Sequence, residues 1–212
     1  GVGKGTISEY LSDKLKWNYL NSGALYRSIA WVAINESIEL NDTVGLDNAS
    51  KNISFTLHDK KLLIEYKRKS IGSLIYNEEV AKTASKVASN PKVRKSIVNI
   101  QRQFKKEPGL VAEGRDMGSV IFPESELKIF LTASIETRAG RRYKQLKDRE
   151  FNVSLPALIK DLDARDDRDK SRENSPLVIP TGAFVIETDD LTIIDLRKIV
   201  KEKVNKTYGT NI

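Results

Sequence analysis

The chain has 212 residues, enough for one well-buried core with room for a small inserted subdomain. Cysteine is absent, which excludes disulfides, thiolate zinc sites and a cysteine nucleophile, and no apolar run reaches the roughly eighteen residues of a membrane-spanning helix. The net charge of +7 points to anionic partners, nucleic acid or small phosphates, although the basic residues are interleaved with Asp and Glu rather than gathered in a tail.

Helical and extended patterns alternate along the chain, the rhythm of an α/β domain with a parallel sheet. The first element is a glycine-rich turn, Gly1-Val2-Gly3-Lys4-Gly5-Thr6, opening a helix to about Leu15. In a P-loop, backbone N–H groups wrap the phosphates and the lysine reaches the β and γ oxygens. The same six residues equally suit a tight turn before a helix. Gly5 stands where many P-loops carry Ser or Thr, so no hydroxyl there can ligate Mg²⁺, and Thr6 is a weak substitute. A P-loop also follows a buried strand and an earlier glycine. Because Gly1 comes first, the expectation is a fragment lacking about ten to fifteen upstream residues, poorly soluble and nearly inactive. A strand-shaped gap lined by apolar side chains is expected beside Leu110–Ala112.

Trp17–Leu20 reads as extended, and a helix follows from about Gly23 to Asn35 with Leu25, Ile29, Val32 and Ala33 on one face. Ser22-Gly23 suits a turn with exposed N–H groups, and Arg27 lies one turn on. This is either an anion site or a capped helix with an exposed arginine. Ile53, Phe55 and Leu57 alternate with polar residues, as do Leu62, Ile64 and Tyr66, which predicts a β-hairpin turning at His58–Lys61. His58, the only histidine, reads as a solvated turn residue. Asn90-Pro91 caps and opens a helix to about Lys105. The apolar runs Gly109–Ala112 and Leu127–Leu131 suit central strands covered on both faces.

Directly after the first of these runs comes Glu113-Gly-Arg-Asp-Met-Gly-Ser119. A charged Arg115-Asp116 pair at a strand's carboxyl end fits a ligand site better than solvation. Arg138, Arg141 and Arg142 share one helical face, and three like charges so close favour an arriving phosphate. On a helix from about Leu155, Arg165, Asp169 and Arg172 fall at i, i+4 and i+7, a salt-bridge ladder that can also serve a ligand. Ala183–Glu187 reads as a last buried strand, and Thr192 to Asp195 has the spacing of a capping box opening the final helix.

KGT, SGALYR, ASKVASNPKVR, GRDMG followed by VIFP, and ARDDRDKSR occur in the order and spacing of bacterial cytidylate kinases, and the chain resembles that family over nearly its whole length. GRDMG with RDDRD is not shared by adenylate or guanylate kinases. The resemblance implies a P-loop NTPase-type parallel sheet flanked by helices. Into it are set a small β-containing nucleoside-monophosphate-binding subdomain at about 36–90 and a short lid at about 141–157, all within one domain, 1–212. It implies transfer of the γ-phosphoryl of ATP to CMP or dCMP, with Mg²⁺ accompanying ATP through waters and no direct protein ligand assigned. Asp116 would be an outer-shell acceptor. A cytoplasmic monomer, with no nucleic-acid or membrane partner, is expected.

Residue by residue, Ser22, Arg27, Arg115 and Arg172 would hold the CMP phosphate. Ser85, Arg94 and Asp116 would read the cytosine edge, and Arg165 and Asp169 would contact the sugar. Lys4 with the N–H groups of Gly1, Val2, Gly3, Lys4, Gly5 and Thr6 would cradle the ATP phosphates. Arg138 and Arg142, with Arg141 between them, would close over those phosphates, so the catalytic set is Lys4, Arg115, Arg138 and Arg142. Two other readings stay open: a kinase of another small acceptor (UMP, AMP or shikimate), and a non-enzymatic basic P-loop protein. Against the second, there is no N-K-x-D guanine-reading motif and no basic stripe with interleaved aromatics.

Overall fold

A computed structural model describes residues 1–148 and 153–212. Helix α1 (Lys4–Leu15) leads through a left-handed Lys16 into strand β1 (Asn18–Asn21), and α2 (Ser22–Asn35) follows at once. The Asn18 side chain donates to the carbonyls of Lys106 and Gly109 at 3.0 and 3.1 Å, tying β1 to the loop before β5 (Leu110–Glu113). The two strands then pair in parallel, Asn18 opposite Leu110 and Asn21 opposite Glu113. A second parallel pair joins β6 (Ile129–Thr132) to β7 (Phe184–Glu187).

The hairpin forms in the expected register. β2 (Ile53–His58) runs antiparallel to β3 (Lys61–Tyr66), with Phe55 opposite Ile64 and Leu57 opposite Leu62. Its two turn residues, Asp59 and Lys60, both take positive φ, as the twist of a two-residue hairpin requires. A short β4 (Lys69–Ser70) extends it. Two further helices flank this subdomain. They are α3 (Thr43–Lys51), capped by Asp42, and α4 (Glu78–Val87), capped by Asn77. The Asn90 cap of α5 (Pro91–Gln103) and the Thr192–Asp195 capping box of α8 (Ile193–Tyr208) form as expected. The remaining helices are α6 (Ile135–Lys147) and α7 (Leu155–Ser171).

Two apolar cores result. One gathers α2 to α5 and the hairpin around Leu25, Ile29, Leu46, Ile75 and Ile97; the other packs α1, α8 and β7 through Ile7, Leu11, Ile186 and Val200. Burying such side chains is worth about 1.5–3 kcal/mol each and supplies the main favourable term in folding.

Three strands differ from expectation. Strands β5 and β6, expected to be covered on both faces, are only half-buried. Among the described residues β5 pairs only with β1 and β6 only with β7, and a cavity of about 980 Å³ lies between the pairs. Val111, Ala112, Ile129, Leu131, Ile7 and Leu11 line it beside Leu110–Ala112, together with charged groups that include Lys4, Glu113, Arg115 and Arg165. Strand β7, expected to be buried, is an edge strand: Ile186 is buried while Val185 is 45% exposed.

Candidate active site

The start of α1 is built to receive an anion. Gly3, its N-cap, has φ +89°, a left-handed conformation that an L side chain rarely adopts. Each helix from α2 to α8 has a side-chain cap on its first N–H groups; α1 has none. The N–H groups of Lys4, Gly5 and Thr6 therefore stay available at the positive end of the helix dipole. Burial, with Arg115 and Arg165 nearby, pulls the Lys4 ammonium down to about 8, while Glu113 and Asp169 oppose the fall. This much crowded positive charge is a standing preference for an anion.

Opposite the loop, two carboxylates organise the arginines. Asp169, on α7 and 4% exposed, has its Oδ2 at 2.9 Å from Arg115 Nε and 3.9 Å from Arg165 Nε. Its Oδ1 accepts from Arg172 Nη1 at 3.3 Å, so the ladder read on one helix face also captures Arg115 from the end of β5. Asp116 forms a buried pair with Arg94, whose Nη1 donates to Asp116 Oδ2 at 2.8 Å and to Tyr26 Oη at 3.3 Å. Burial pushes the Tyr26 phenol up to about 12, with Arg94 opposing. Burial also lowers Arg165 to about 10, with Arg115 adding to the effect. Arg94 Nε, Arg165 Nε and Arg172 Nη2 are buried donors that no acceptor among the described residues satisfies. Each costs about 1–3 kcal/mol as it stands, so the site is primed for a ligand with several acceptors.

The other expected residues sit around this centre rather than in it. The Ser22 hydroxyl accepts from Gln101 Nε2 at 2.7 Å, and Ser85 Oγ accepts from Arg168 Nε at 3.3 Å. Arg27 turns away from Arg115 and Arg172, donating to the Ile75 carbonyl at 3.4 Å and lying over the Tyr76 ring. The three arginines of α6 diverge. Arg138 pairs with Asp166 at 2.6 Å, Arg141 binds Gly1 and Thr188 carbonyls, and Arg142 pairs with Glu78. Arg141 is thus occupied in joining α6 to the P-loop and β7. Of the expected lid at 141–157, residues 149–152 lie outside the described residues.

Sequence reasoning missed Tyr26, Gln101, Asp166 and Arg168, which hold the predicted residues in place, and also Tyr19 and Glu113. Glu113 had a visible signal, an acid ending an apolar strand directly before Arg115-Asp116.

Comparison with known proteins agrees with this geometry. The family model described as cytidylate kinase matches residues 1–206. A protein of Aeromonas salmonicida (strain A449) named cytidylate kinase is 41% identical over 211 residues, covering 99% of this chain and 92% of its own length. One of Shewanella sediminis (strain HAW-EB3) with the same name is 43% identical over 205 residues, covering 94% of this chain and 88% of its own. An uncapped P-loop helix beside a buried arginine–carboxylate pocket, with relatives matching nearly end to end, leads to one conclusion: the chain belongs to the cytidylate kinase family.

Proposed function

We propose that the protein transfers the γ-phosphoryl of ATP to CMP or dCMP, giving ADP and CDP or dCDP. The observation that carries this reading is the buried Arg94–Asp116 pair, with Arg94 Nε still unsatisfied, set across from an uncapped P-loop helix. Cytosine presents an amino donor beside ring acceptors, which a carboxylate next to a guanidinium complements; uracil sets a carbonyl against that carboxylate.

Phosphoryl transfer asks for positioning and charge stabilisation rather than covalent chemistry from the protein, and no general base is assigned. Gly1, Val2, Gly3, Lys4, Gly5 and Thr6 cradle the ATP phosphates through N–H groups and the Lys4 ammonium. Arg115 and Arg172 turn from Asp169 to the CMP phosphate, with Ser22 beside them, and Arg27 swings in from Ile75. Arg165 and Asp169 contact the sugar, while Ser85, Arg94 and Asp116 read the base. Arg138 and Arg142 exchange Asp166 and Glu78 for phosphate oxygens as the lid closes and excludes water.

Mg²⁺ accompanies ATP in this reading and would neutralise phosphate charge. Among the described residues no three acidic or histidine side chains cluster, and Asp116 is committed to Arg94, which fits a hydrated ion held by ATP oxygens rather than a protein cage. The layout is one kinase unit, with 36–90 as the acceptor-binding insertion and 141–157 as the lid. One chain supplies the whole arginine set, which supports a monomer. We place it in the cytoplasm, without nucleic-acid or membrane partners; no described helix is long and apolar enough to cross a membrane.

The test is ADP release with CMP, dCMP, UMP, AMP and GMP as acceptors. CMP and dCMP are expected to lead, and equal turnover of UMP would remove the base-reading assignment.

A further inference from the structure

Tyr19 lies opposite Val111 in the β1–β5 pair, on the sheet face that also carries Glu113 two residues on. Its hydroxyl donates to Glu113 Oε1 at 2.6 Å. The carboxylate rests against the start of α1, and a β-carbon added at Gly5 would come within 3.4 Å of Oε1. The acid thus sits in contact range of the residue that stands where other P-loops carry a hydroxyl. We propose that Tyr19 is a positioning residue for phosphoryl transfer, clamping Glu113 as an oriented anion against the start of the P-loop helix; this rests on the kinase reading above.

The surroundings make the clamp necessary. Burial pushes the Glu113 carboxyl up, while the Tyr19 hydroxyl and Lys4 hold it down; Glu9 of α1 pushes it up. Lys4 feels the charges of Glu113 from β5, Arg115 just beyond that strand, and Arg165 and Asp169 from α7. Glu113 is therefore one of the two carboxylates supporting the Lys4 charge against burial and two arginines. Burial and Glu113 raise the Tyr19 phenol, with Glu9 and Tyr76 adding to this, so its proton stays on oxygen and is donated. Without that donor the carboxyl gains its proton at higher pH; without the carboxylate charge itself, Lys4 loses its proton at lower pH.

The test compares wild type with Tyr19→Phe, with Glu113→Gln, and with the double variant, reading kcat and KM across pH. Calorimetric ATP affinity over the same range reports the charge at the P-loop without turnover. For Tyr19→Phe we expect the acid limb of kcat to move up by about one pH unit, the shift of a lost charge-assisted hydrogen bond. The alkaline limb of ATP affinity should move down in Glu113→Gln, where the charge itself is gone, with KM for CMP unchanged within about twofold. Tyr19→Phe should add no shift once Glu113 is Gln. A uniform loss of rate with superimposable pH profiles would overturn the proposal, as would an equal shift in the Glu113→Gln background. Should Tyr19→Phe fail to fold, Glu113→Gln alone must still lower the alkaline limb of ATP affinity, and an unmoved limb refutes the idea. Failure of wild type to phosphorylate CMP would instead remove the parent reading and leave the ATP-binding arm to decide this one.

Discussion

Replacing Asp169 by Asn removes one charge and almost no volume, yet it strikes the point where three guanidinium groups meet. Arg172, 6% exposed at its side chain, Arg115 at 26% and Arg165 at 38% all lose their counter-ion together. Breaking a buried ion pair from one side costs about 3–5 kcal/mol, because the remaining charge stays buried and uncompensated. Only Arg172 is deeply buried, so the lower end, about 3 kcal/mol, is the expected loss. With a urea slope of roughly 2 kcal/mol per molar, the unfolding midpoint should fall by about 1.5 M at unchanged slope. Anions should rescue the variant. Sulfate or CMP would supply the missing negative charge and raise its midpoint more than that of wild type. A loss within about 0.5 kcal/mol, with equal rescue of both proteins, would refute the reasoning that Asp169 stands in for a substrate anion.

Two further expectations concern charge and packing. Lys4 sits at about 8 when folded and at an ordinary 10.5 when unfolded, so between these values the unfolded chain holds more protons and stability rises with pH. Ligand-free protein should gain up to about 1.4 kcal/mol per pH unit in that window, less with solvent screening, and Lys4→Met should flatten the rise in urea midpoints. Fusing an apolar strand and a short glycine turn before Gly1 should fill the cavity between β5 and β6. Pairing both open edges and burying the apolar lining at about 25 cal/mol per Å² is worth several kcal/mol. An unchanged thermal midpoint in the fused protein would show that the cleft takes no strand.

Local chemistry carried much of the fold. The Asn90 and Thr192 caps, the hairpin alternation from Ile53 to Tyr66 and the apolar runs before Glu113 and Ser134 each act within a few residues, so the sequence displays them. Helix α3 escaped because TVGLDNASK carries few apolar residues to mark a period, whereas in α4 the period was present in Val80, Ala84 and Val87 and was missed. Strand burial was misread where an open edge, not composition, sets exposure. In the site, the i, i+4, i+7 spacing of Arg165, Asp169 and Arg172 was legible, but the arrival of Arg115 from a distant strand was not. Arg138, Arg141 and Arg142 share a face as read, yet each reaches a different acceptor, since long side chains on one face reach outward in different directions. Tyr19 meets Glu113 only through parallel pairing of segments 94 residues apart.

The central claim is that the Arg94–Asp116 pair chooses the base. Its most direct measurement is the ratio of kcat/KM for CMP over UMP, in wild type and in Asp116→Asn. A site that leaves buried partners unpaired with the wrong base can discriminate by up to ~10⁴. Wild type should therefore favour CMP by roughly a thousandfold, and the asparagine, which can offer uracil a donor, should narrow that ratio by about a hundredfold. A ratio near one in wild type, or one left untouched by Asp116→Asn, would contradict the account.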